Sequence, residues 1–389
     1  MSVTAPAGFV AAGVACGVKA SGALDLALVA TDDARPVPAA GVFTRNRMTA
    51  APVLVSRHHL DATGGHAAAV VLNSGNANAA TGAPGHADAE AMADAVAAAL
   101  GTAREAVLVC STGLIGIPLP VQHIVDASPA LVAAAAGDAA AAHTAAEAIR
   151  TTDTFAKEVT VAGDGCTVGA MAKGAAMLAP NMATMLAVVT TDAVATPEVL
   201  GDVLRTAVDA SFNVMTTDGC TSTNDTVLLL ASGRAGEVRV DALRRAVTEA
   251  CRSLAQMMVA DAEGATKSVH LEVVGAADDD EAARGARKVA DSNLCKCSWY
   301  GCDPYWGRVA SELGSAGIAF DQTRISVSYG GHVVAAGGVE IDHDRAAVAA
   351  HMAQRDLHVV ADLGLGSGRA ELFTNDLTHA YVDENMGTS

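Results

Sequence analysis

Aromatic residues are scarce in this chain of 389 residues, which contains 6 Phe, 4 Tyr and 2 Trp. A surface that stacks the bases of a single-stranded nucleic acid needs several aromatic side chains, so such a site is not expected. Basic residues are also few: 25 Lys and Arg stand against 43 Asp and Glu, giving a formal net charge of −18. This charge opposes binding to a phosphate backbone, so the sequence predicts no nucleic-acid partner.

Cysteine is sparse as well, and the 8 cysteines are too widely spaced for a disulfide framework. We therefore expect reduced thiols and a cytoplasmic protein. The N-terminal segment has frequent Gly and no basic leader, which is not typical of a secretory signal. The longest charge-free apolar span, residues 174–191, contains Pro180 and Asn181, so no membrane partner is predicted.

Short β-branched runs alternate with helical patterns along the chain. Residues 68–73 and 106–110 are predicted strands, and residues 88–100 between them are a predicted helix that Gly101 ends. Near the C-terminus, Gly330 and Gly331 separate two alternating runs and predict a β-hairpin. Interleaved strands and helices indicate the α/β class.

The second half of the chain continues this rhythm. Residues 185–190 and 226–231 are predicted buried strands. Thr196 is a predicted N-cap with Pro197 at the first helical position, and Asp241 is predicted to cap a later amphipathic helix.

The segment 173–190 carries the most unusual chemistry, because Thr184 follows a Pro-Asn turn and Ala183 at the start of a predicted strand. Attack of the Thr184 hydroxyl on the Ala183 carbonyl, followed by hydrolysis, would make Thr184 a new N-terminus. Its α-amine would then serve as the base for its own hydroxyl, as in other N-terminal Thr nucleophiles. From these residues alone, an ordinary strand-capping Thr remains the alternative.

The same segment resembles the active-site signature of the bifunctional ornithine acetyltransferase and N-acetylglutamate synthase family, in which the Thr of an Ala-Thr-Met-Leu sequence is the self-processing nucleophile. The resemblance spans nearly the full chain. Other matching segments follow in the family's order: residues 13–22, 73–82, 111–116, 151–154, 222–226, 261–267, 303–308 and 380–385.

The resemblance implies a layered αββα fold and cleavage between Ala183 and Thr184, which gives chains of residues 1–183 and 184–389. It implies a heterotetramer of two copies of each chain. The implied activity moves acetyl from N2-acetylornithine to glutamate through acetyl-Thr184, with no cofactor. Whether acetyl-CoA also donates acetyl is not visible in any residue.

Two pairs of residues acquire roles from the resemblance. Thr112 and Gly113 are implied to form the oxyanion hole, and Gly suits this role because it lets backbone N–H groups approach a ligand closely. A plain exit from a strand is the alternative. Thr151 and Lys173 are implied to bind substrate, and a cation suits a substrate carboxylate.

The resemblance also assigns substrate contacts near the C-terminus. Glu263 is implied to face the substrate amino group or to position the attacking species, and Asn385 is another implied ligand. A terminal hydroxyl usually accompanies it. Because the tail is one residue shorter than the family pattern, Ser389 is the choice and Thr388 the alternative. Tyr305 replaces the Asn of the family's Asp-Pro-Asn-Trp-Gly-Arg pattern, which leaves the acceptor open.

Two further patterns predict no site. Cys295, Cys297 and Cys302 have neither paired C-x₂-C spacing nor a nearby His, so we expect buried thiols and no metal. The glycines of residues 363–368 have the wrong interval for a dinucleotide fingerprint, so a turn is expected.

Two other functions remain open. One is a self-processing amidohydrolase or deacetylase that uses water as acceptor. The other is a secondary-metabolism paralogue with a different acceptor, or a non-catalytic scaffold.

Overall fold

The structure is a computed structural model that describes residues 2–179 and 185–387. Two compact units divide the chain, and each is described by itself. Unit 1 contains Met1–Asn213 and Cys220–Met258, and unit 2 contains Val214–Gly219 and Val259–Ser389. The two units are compact parts of one chain and are not cleavage products, so the division between residues 183 and 184 stays a prediction.

Unit 1 contains the following strands: β1 (Phe9–Val14), β2 (Leu26–Thr31), β3 (Val37–Phe43), β4 (His66–Ala67), β5 (Ala69–Asn76), β6 (Val107–Leu114), β7 (Lys157–Ala162), β8 (Thr167–Lys173), β9 (Leu186–Val194) and β10 (Thr226–Glu237). Its helices are α1 (Ala51–Ala62), α2 (Gly82–Leu100), α3 (Val121–Ala133), α4 (Ala139–Ala148) and α5 (Pro197–Asp209). Helix α6 (Val240–Ala260) runs from unit 1 into the first residues of unit 2.

Within the described ranges, the strands of unit 1 form two sheets, in the orders β1-β2-β5-β6 and β4-β3-β10-β9-β8-β7. The β5–β6 and β9–β10 pairs are parallel, and the other pairs are antiparallel. Inward-facing residues of the two sheets share one core, in which Leu72 and Leu108 of the first sheet join Val188 and Leu230 of the second. Each such side chain stabilises the fold by about 1.5–3 kcal/mol relative to exposure.

Helices cover the outer faces of the two sheets. On the first sheet, Leu28 and Val71 pack with Val55 of α1, Met92 of α2 and Ile124 of α3. On the second sheet, α5 packs on β3 and β10. The layers are helix, sheet, sheet, helix, and the αββα fold expected from the resemblance is confirmed.

Unit 2 contains the strands β11 (Ser268–Ala276), β12 (Ser326–Tyr329), β13 (His332–Ala336), β14 (Val339–Glu340), β15 (Asp356–Asp362) and β16 (Gly368–Asn375). Its helices are α7 (Asp279–Ala290), α8 (Asn293–Tyr300), α9 (Trp306–Gly314), α10 (Arg345–Met352) and α11 (His379–Asn385). As far as the chain is described, these strands form one sheet in the order β14-β13-β12-β15-β11-β16.

One face of this sheet builds the core of unit 2. Val269, Leu271 and Val273 alternate along β11 and pack with Trp299 and Leu313 from the helices. Because side chains alternate between the two faces of a strand, the residues between these three point to the opposite face.

Local sequence signals predicted several boundaries correctly. Thr196 accepts a hydrogen bond from the Val199 N–H at the start of α5, and Gly101 ends α2 in the left-handed region at φ 73°. The prediction for Asp241 is wrong. Helix α6 begins at Val240, so the Asp241 carboxylate lies inside the first turn and pairs with Arg244.

The predicted hairpin is confirmed. Strands β12 and β13 pair antiparallel, and Gly330 and Gly331 between them have φ values of 58° and 82°. Over the described ranges, no helix is both long and apolar enough to cross a membrane.

Candidate active site

Three predicted site residues of unit 1 meet, one at the end of β8, one inside β6 and one in the segment that follows α4. Lys173 is the last residue of β8 and is only 4% exposed. Its Nζ donates hydrogen bonds to Thr151 Oγ1 at 2.7 Å and to Thr112 Oγ1 at 3.1 Å. The structure therefore joins the predicted substrate-binding residues to a predicted oxyanion-hole residue.

A buried carboxylate, Asp153, stabilises this cationic cluster. Its Oδ1 accepts hydrogen bonds from Lys157 Nζ at 2.6 Å and from the Gly174 N–H at 2.7 Å. Burial alone would raise the pKa of Asp153, but the charges of Lys173 and Lys157 outweigh burial and lower it to about 2. Sequence reasoning gave Asp153 no role, because no local pattern shows that its carboxylate is buried between the nearby Lys157 and the more distant Lys173.

Gly113 has a backbone that another residue would not tolerate. It lies inside β6, where the register with β5 shifts, and its φ is 135°. A Cβ at this position would lie 2.2 Å from the carbonyl carbon of Gly75 and 2.5 Å from Asn76 N. The residues 111–113 therefore belong to the strand itself, with Gly required where two backbones come unusually close.

The proposed nucleophile, Thr184, and its neighbour Ala183 lie outside the described residues. The next residue, Met185, is firmly held, since its N–H donates to Asp225 Oδ1 at 3.0 Å and its carbonyl accepts from the Thr226 N–H at 3.1 Å. Burial raises the pKa of Asp225 well above its ordinary value, against the opposing effect of the Met185 N–H. Asp225 thus anchors the backbone that directly follows the predicted cleavage point.

The residue before Asp225 connects several strand ends. Asn224 Nδ2 donates to the Ala77 carbonyl at 2.6 Å and to the Ser111 carbonyl at 2.9 Å. Asn224 is 5% exposed. Residues 222–226 match a family segment to which the resemblance gives no role. Asn224 connects the end of β5 and the middle of β6 to the start of β10, and Asp225 holds the residue before β9.

The N-terminal Gly-rich segment also reaches this region. Asp25 accepts hydrogen bonds from the backbone N–H groups of Cys16, Gly17 and Lys19. Lys19 Nζ donates to the Arg150 carbonyl at 2.7 Å, next to Thr151. Burial lowers the pKa of Lys19, and the Lys173 charge lowers it further. A second cation therefore lies close enough to Lys173 to add to the positive potential.

Two predicted site residues meet in unit 2. Asn385 Nδ2 donates to Glu263 Oε2 at 2.8 Å, and Glu263 is only 8% exposed. The backbone at Gly264 lies very close to the start of α11, since a Cβ on Gly264 would lie 2.4 Å from the Tyr381 N. The segments 261–267 and 380–385 thus pack together, whereas Thr388 and Ser389 lie outside the described residues.

The cysteine prediction is correct at one position and wrong at two. Cys295 is buried, but Cys297 and Cys302 are exposed. Residues 295 and 297 are two apart in α8 and therefore point to nearly opposite sides of the helix. Tyr305 is 55% exposed and lines a surface cleft of about 270 Å³ in unit 2 with residues that include His343.

These features define a class of protein. An αββα sandwich with a buried lysine that donates to two threonine hydroxyls, in a chain whose sequence has Thr184 shortly before β9, fits an acyl-transferring enzyme of the N-terminal-nucleophile type. The chain belongs to the ArgJ family, whose model matches residues 10–387.

Similar proteins agree with this assignment. The chain is 49% identical over 390 residues to the arginine biosynthesis bifunctional protein ArgJ of Thermobifida fusca and 49% identical over 392 residues to that of Streptomyces coelicolor, covering 100% of each. A solved Mycobacterium tuberculosis ornithine acetyltransferase, complexed with ornithine, is 49% identical with a TM-score of 0.42, over 46% of this chain and 94% of that one. The predicted class, an acetyltransferase of arginine biosynthesis, is confirmed by the family and by these relatives.

Proposed function

We propose that the chain cleaves itself between Ala183 and Thr184 and then moves acetyl from N2-acetylornithine to glutamate through an acetyl-Thr184 ester. The observation that carries the proposal is the cluster in unit 1 in which the buried Lys173 donates to the hydroxyls of Thr112 and Thr151. Such a cluster supplies the cation and the hydroxyl donors that a carboxylate-bearing substrate requires.

The proposed reaction has two balanced halves. In the first, Thr184 Oγ attacks the acetyl carbonyl, its proton passes to the Thr184 α-amine and then to the leaving α-amine, and ornithine departs. In the second, the α-amine of glutamate attacks the ester, and the proton returns to Thr184 Oγ as N-acetylglutamate leaves. The α-amine of an N-terminal Thr is a suitable base for both halves.

The tetrahedral intermediate of each half carries a negative oxygen. We assign its stabilisation to Thr112 and Gly113, as the resemblance implied. The requirement for Gly at residue 113 supports the assignment, because an N–H donor is most effective where no side chain shields it. Removing one such donor typically lowers turnover by ~10²–10³.

The assignment of substrate ligands follows the resemblance, residue by residue. We assign Lys173 and Thr151 to the substrate carboxylate, with Asp153 as the positioning residue that fixes the Lys173 side of the cluster. Glu263 and Asn385 are assigned to the substrate amino group, and their hydrogen bond supports a common role. Ser389 is proposed as the additional hydroxyl ligand.

Other parts of the proposal rest on the family alone. They are a heterotetramer with two copies each of chains 1–183 and 184–389, and a cytoplasmic location. Because the similar ArgJ proteins are bifunctional, we also propose acetyl-CoA as a second acetyl donor.

The fate of acetyl tests the proposed acceptor. Purified enzyme is incubated with N2-acetylornithine, with and without glutamate, and ornithine, N-acetylglutamate and acetate are quantified. Glutamate-dependent N-acetylglutamate formation supports the proposal. Acetate release that glutamate does not alter would instead establish a deacetylase.

A substitution tests the carboxylate site. Lys173→Met should raise KM for both amino-acid substrates, because a charge-assisted hydrogen bond contributes about 1.5–3 kcal/mol, or roughly 10–150-fold in binding. Lys288→Met is the matched control, since Lys288 is 49% exposed and pairs only at the surface with Glu312. Equal kinetics for the two variants would remove Lys173 from substrate binding.

A further inference from the structure

The sheet of unit 2 has a second face that the established activity does not use. On β11, Leu271 faces the core, so His270 and Glu272 on its two sides point to the opposite face. The parallel neighbour β15 places His358 directly beside His270 in the register. Two imidazoles and a carboxylate therefore project from adjacent strands on one side of the sheet.

The side-chain atoms on this face are close together. The ligand atoms of His270, Glu272 and His358 all lie within 4.8 Å of one another. His358 Nε2 lies 2.7 Å from Glu272 Oε1, and His270 Nε2 lies 2.9 Å from Oε2 of Glu371 on β16. Each imidazole thus already has a carboxylate partner.

The strands hold these groups in fixed positions. The His270 ring stacks on the His358 ring at 5.1 Å and on the Phe373 ring at 4.9 Å. The His358 backbone N–H donates to His351 Nε2 at 3.0 Å, which ties β15 to α10. Because the strands are rigid and the rings are stacked, these side chains are held close together before any ion binds.

We propose that His270, Glu272 and His358 bind a zinc ion, with Glu371 as fourth ligand or as acceptor for a metal-bound water. Imidazole nitrogen and carboxylate oxygen are zinc ligands, at about 2.0–2.2 Å from the metal. The two carboxylates balance the charge of Zn²⁺. A neutral imidazole binds a metal through the ring nitrogen that carries no proton, so ligation through Nε2 selects the tautomer with the proton on Nδ1 in each histidine.

The geometry requires only a small adjustment. Four tetrahedral ligands at these bond lengths lie roughly 3.3–3.5 Å apart, so groups within 4.8 Å of one another must close by at most about 1.4 Å through side-chain rotation. The side chains of His270 and His358 are 34% and 42% exposed, which leaves a path for the ion. Hard cations such as Mg²⁺ prefer an all-oxygen set and fit these residues less well.

The proposed ion would join two strands whose ligands are far apart in sequence. An ion that binds the folded sheet and not the unfolded chain stabilises the fold by mass action. Zinc is therefore expected to raise the thermal midpoint of unit 2 and to leave acetyl transfer unchanged, since none of these residues belongs to the proposed catalytic cluster.

Titration calorimetry of the metal-stripped full-length protein with zinc alone tests the site. The wild type should bind one equivalent that His358→Ala and His270→Ala each weaken by more than ~100-fold, while Glu371→Gln weakens it by ~10–100-fold. His58→Ala, an exposed His on α1, is the matched control and should bind as the wild type does. Circular dichroism and acetyl transfer confirm that each variant is folded.

Cobalt spectroscopy separates this site from the exposed thiols Cys220, Cys297 and Cys302. Nitrogen and oxygen ligands give d–d bands without the near-ultraviolet sulfur-to-cobalt absorption that thiolates produce. The proposal is overturned if the wild type binds no zinc, if the His variants bind it as tightly as the wild type, or if the sulfur absorption accompanies the bound equivalent.

Discussion

Replacing Asp153 by Asn removes the negative charge between two buried lysines and should destabilise unit 1. Asp153 is 4% exposed, and the Lys157 side chain that binds it is fully buried. Breaking a buried ion pair at one partner costs about 3–5 kcal/mol, because the remaining charge has no compensation. We therefore expect Asp153→Asn to lower the free energy of unfolding by about this amount at pH 7.

The pH dependence gives this prediction its signature. The pKa of Asp153 falls from an ordinary 3.8 to about 2 in the folded protein. At about 1.36 kcal/mol for each pH unit, this lowering corresponds to about 2.5 kcal/mol. Because the folded pKa lies below the unfolded one, this part of the stability is present above pH 4 and is lost as the pH falls towards 2.

Urea denaturation of wild type and Asp153→Asn between pH 7 and pH 2 measures the effect. The difference in unfolding free energy should be full at pH 7 and should shrink by about 2 kcal/mol by pH 2, where half of the folded molecules still have Asp153 ionised. Asp202→Asn is the control, since its pair with Arg205 is exposed at 68% and 64% and should matter by less than about 1 kcal/mol. A difference that does not change with pH would refute the electrostatic explanation.

Two further substitutions test the backbone of the site. Gly113→Ala should lower kcat by ~10²–10³ and the free energy of unfolding by about 1–3 kcal/mol. Gly116→Ala, where a Cβ meets open space, should lower both by far less. Equal effects of the two substitutions would contradict the close-approach argument. Asp225→Asn keeps an acceptor for the Met185 N–H, so this variant should cleave itself at nearly the wild-type rate. Asp225→Ala leaves that buried N–H unpaired, which should lower the free energy of unfolding by about 1–3 kcal/mol and slow cleavage. Cleavage followed on denaturing gels decides the second case, and rapid processing of the Ala variant would exclude Asp225 as an anchor.

Local signals in the sequence predicted what depends on neighbouring residues. The N-cap at Thr196 and the glycine turn at residues 330–331 need only a few adjacent residues, and both are confirmed. Asp241 shows the limit of such signals. An acidic residue is favourable both as an N-cap and in the first turn of a helix, and in α6 Asp241 lies in the first turn.

Tertiary arrangement decided the rest. The αββα layers and the meeting of Lys173 with Thr112 across 61 residues followed from resemblance, because spacing alone does not show which strand ends meet. Asp153 lies within a segment that matches the family, but only its buried contacts show what it does. The exposure of Cys297 was mispredicted because the apolar character of a thiol does not reveal which side of a helix faces the core.

Intact-mass measurement of the purified protein, before and after N2-acetylornithine, tests the central claim most directly. The predicted result is two chains that end and begin at Ala183 and Thr184, with one acetyl group added to the C-terminal chain and removed again by glutamate. Thr184→Ala should give one uncleaved, unacetylated chain, and Thr184→Ser should retain part of both reactions. A wild-type protein that stays intact, or an acetyl group that the Ala variant also acquires, would contradict the proposed nucleophile.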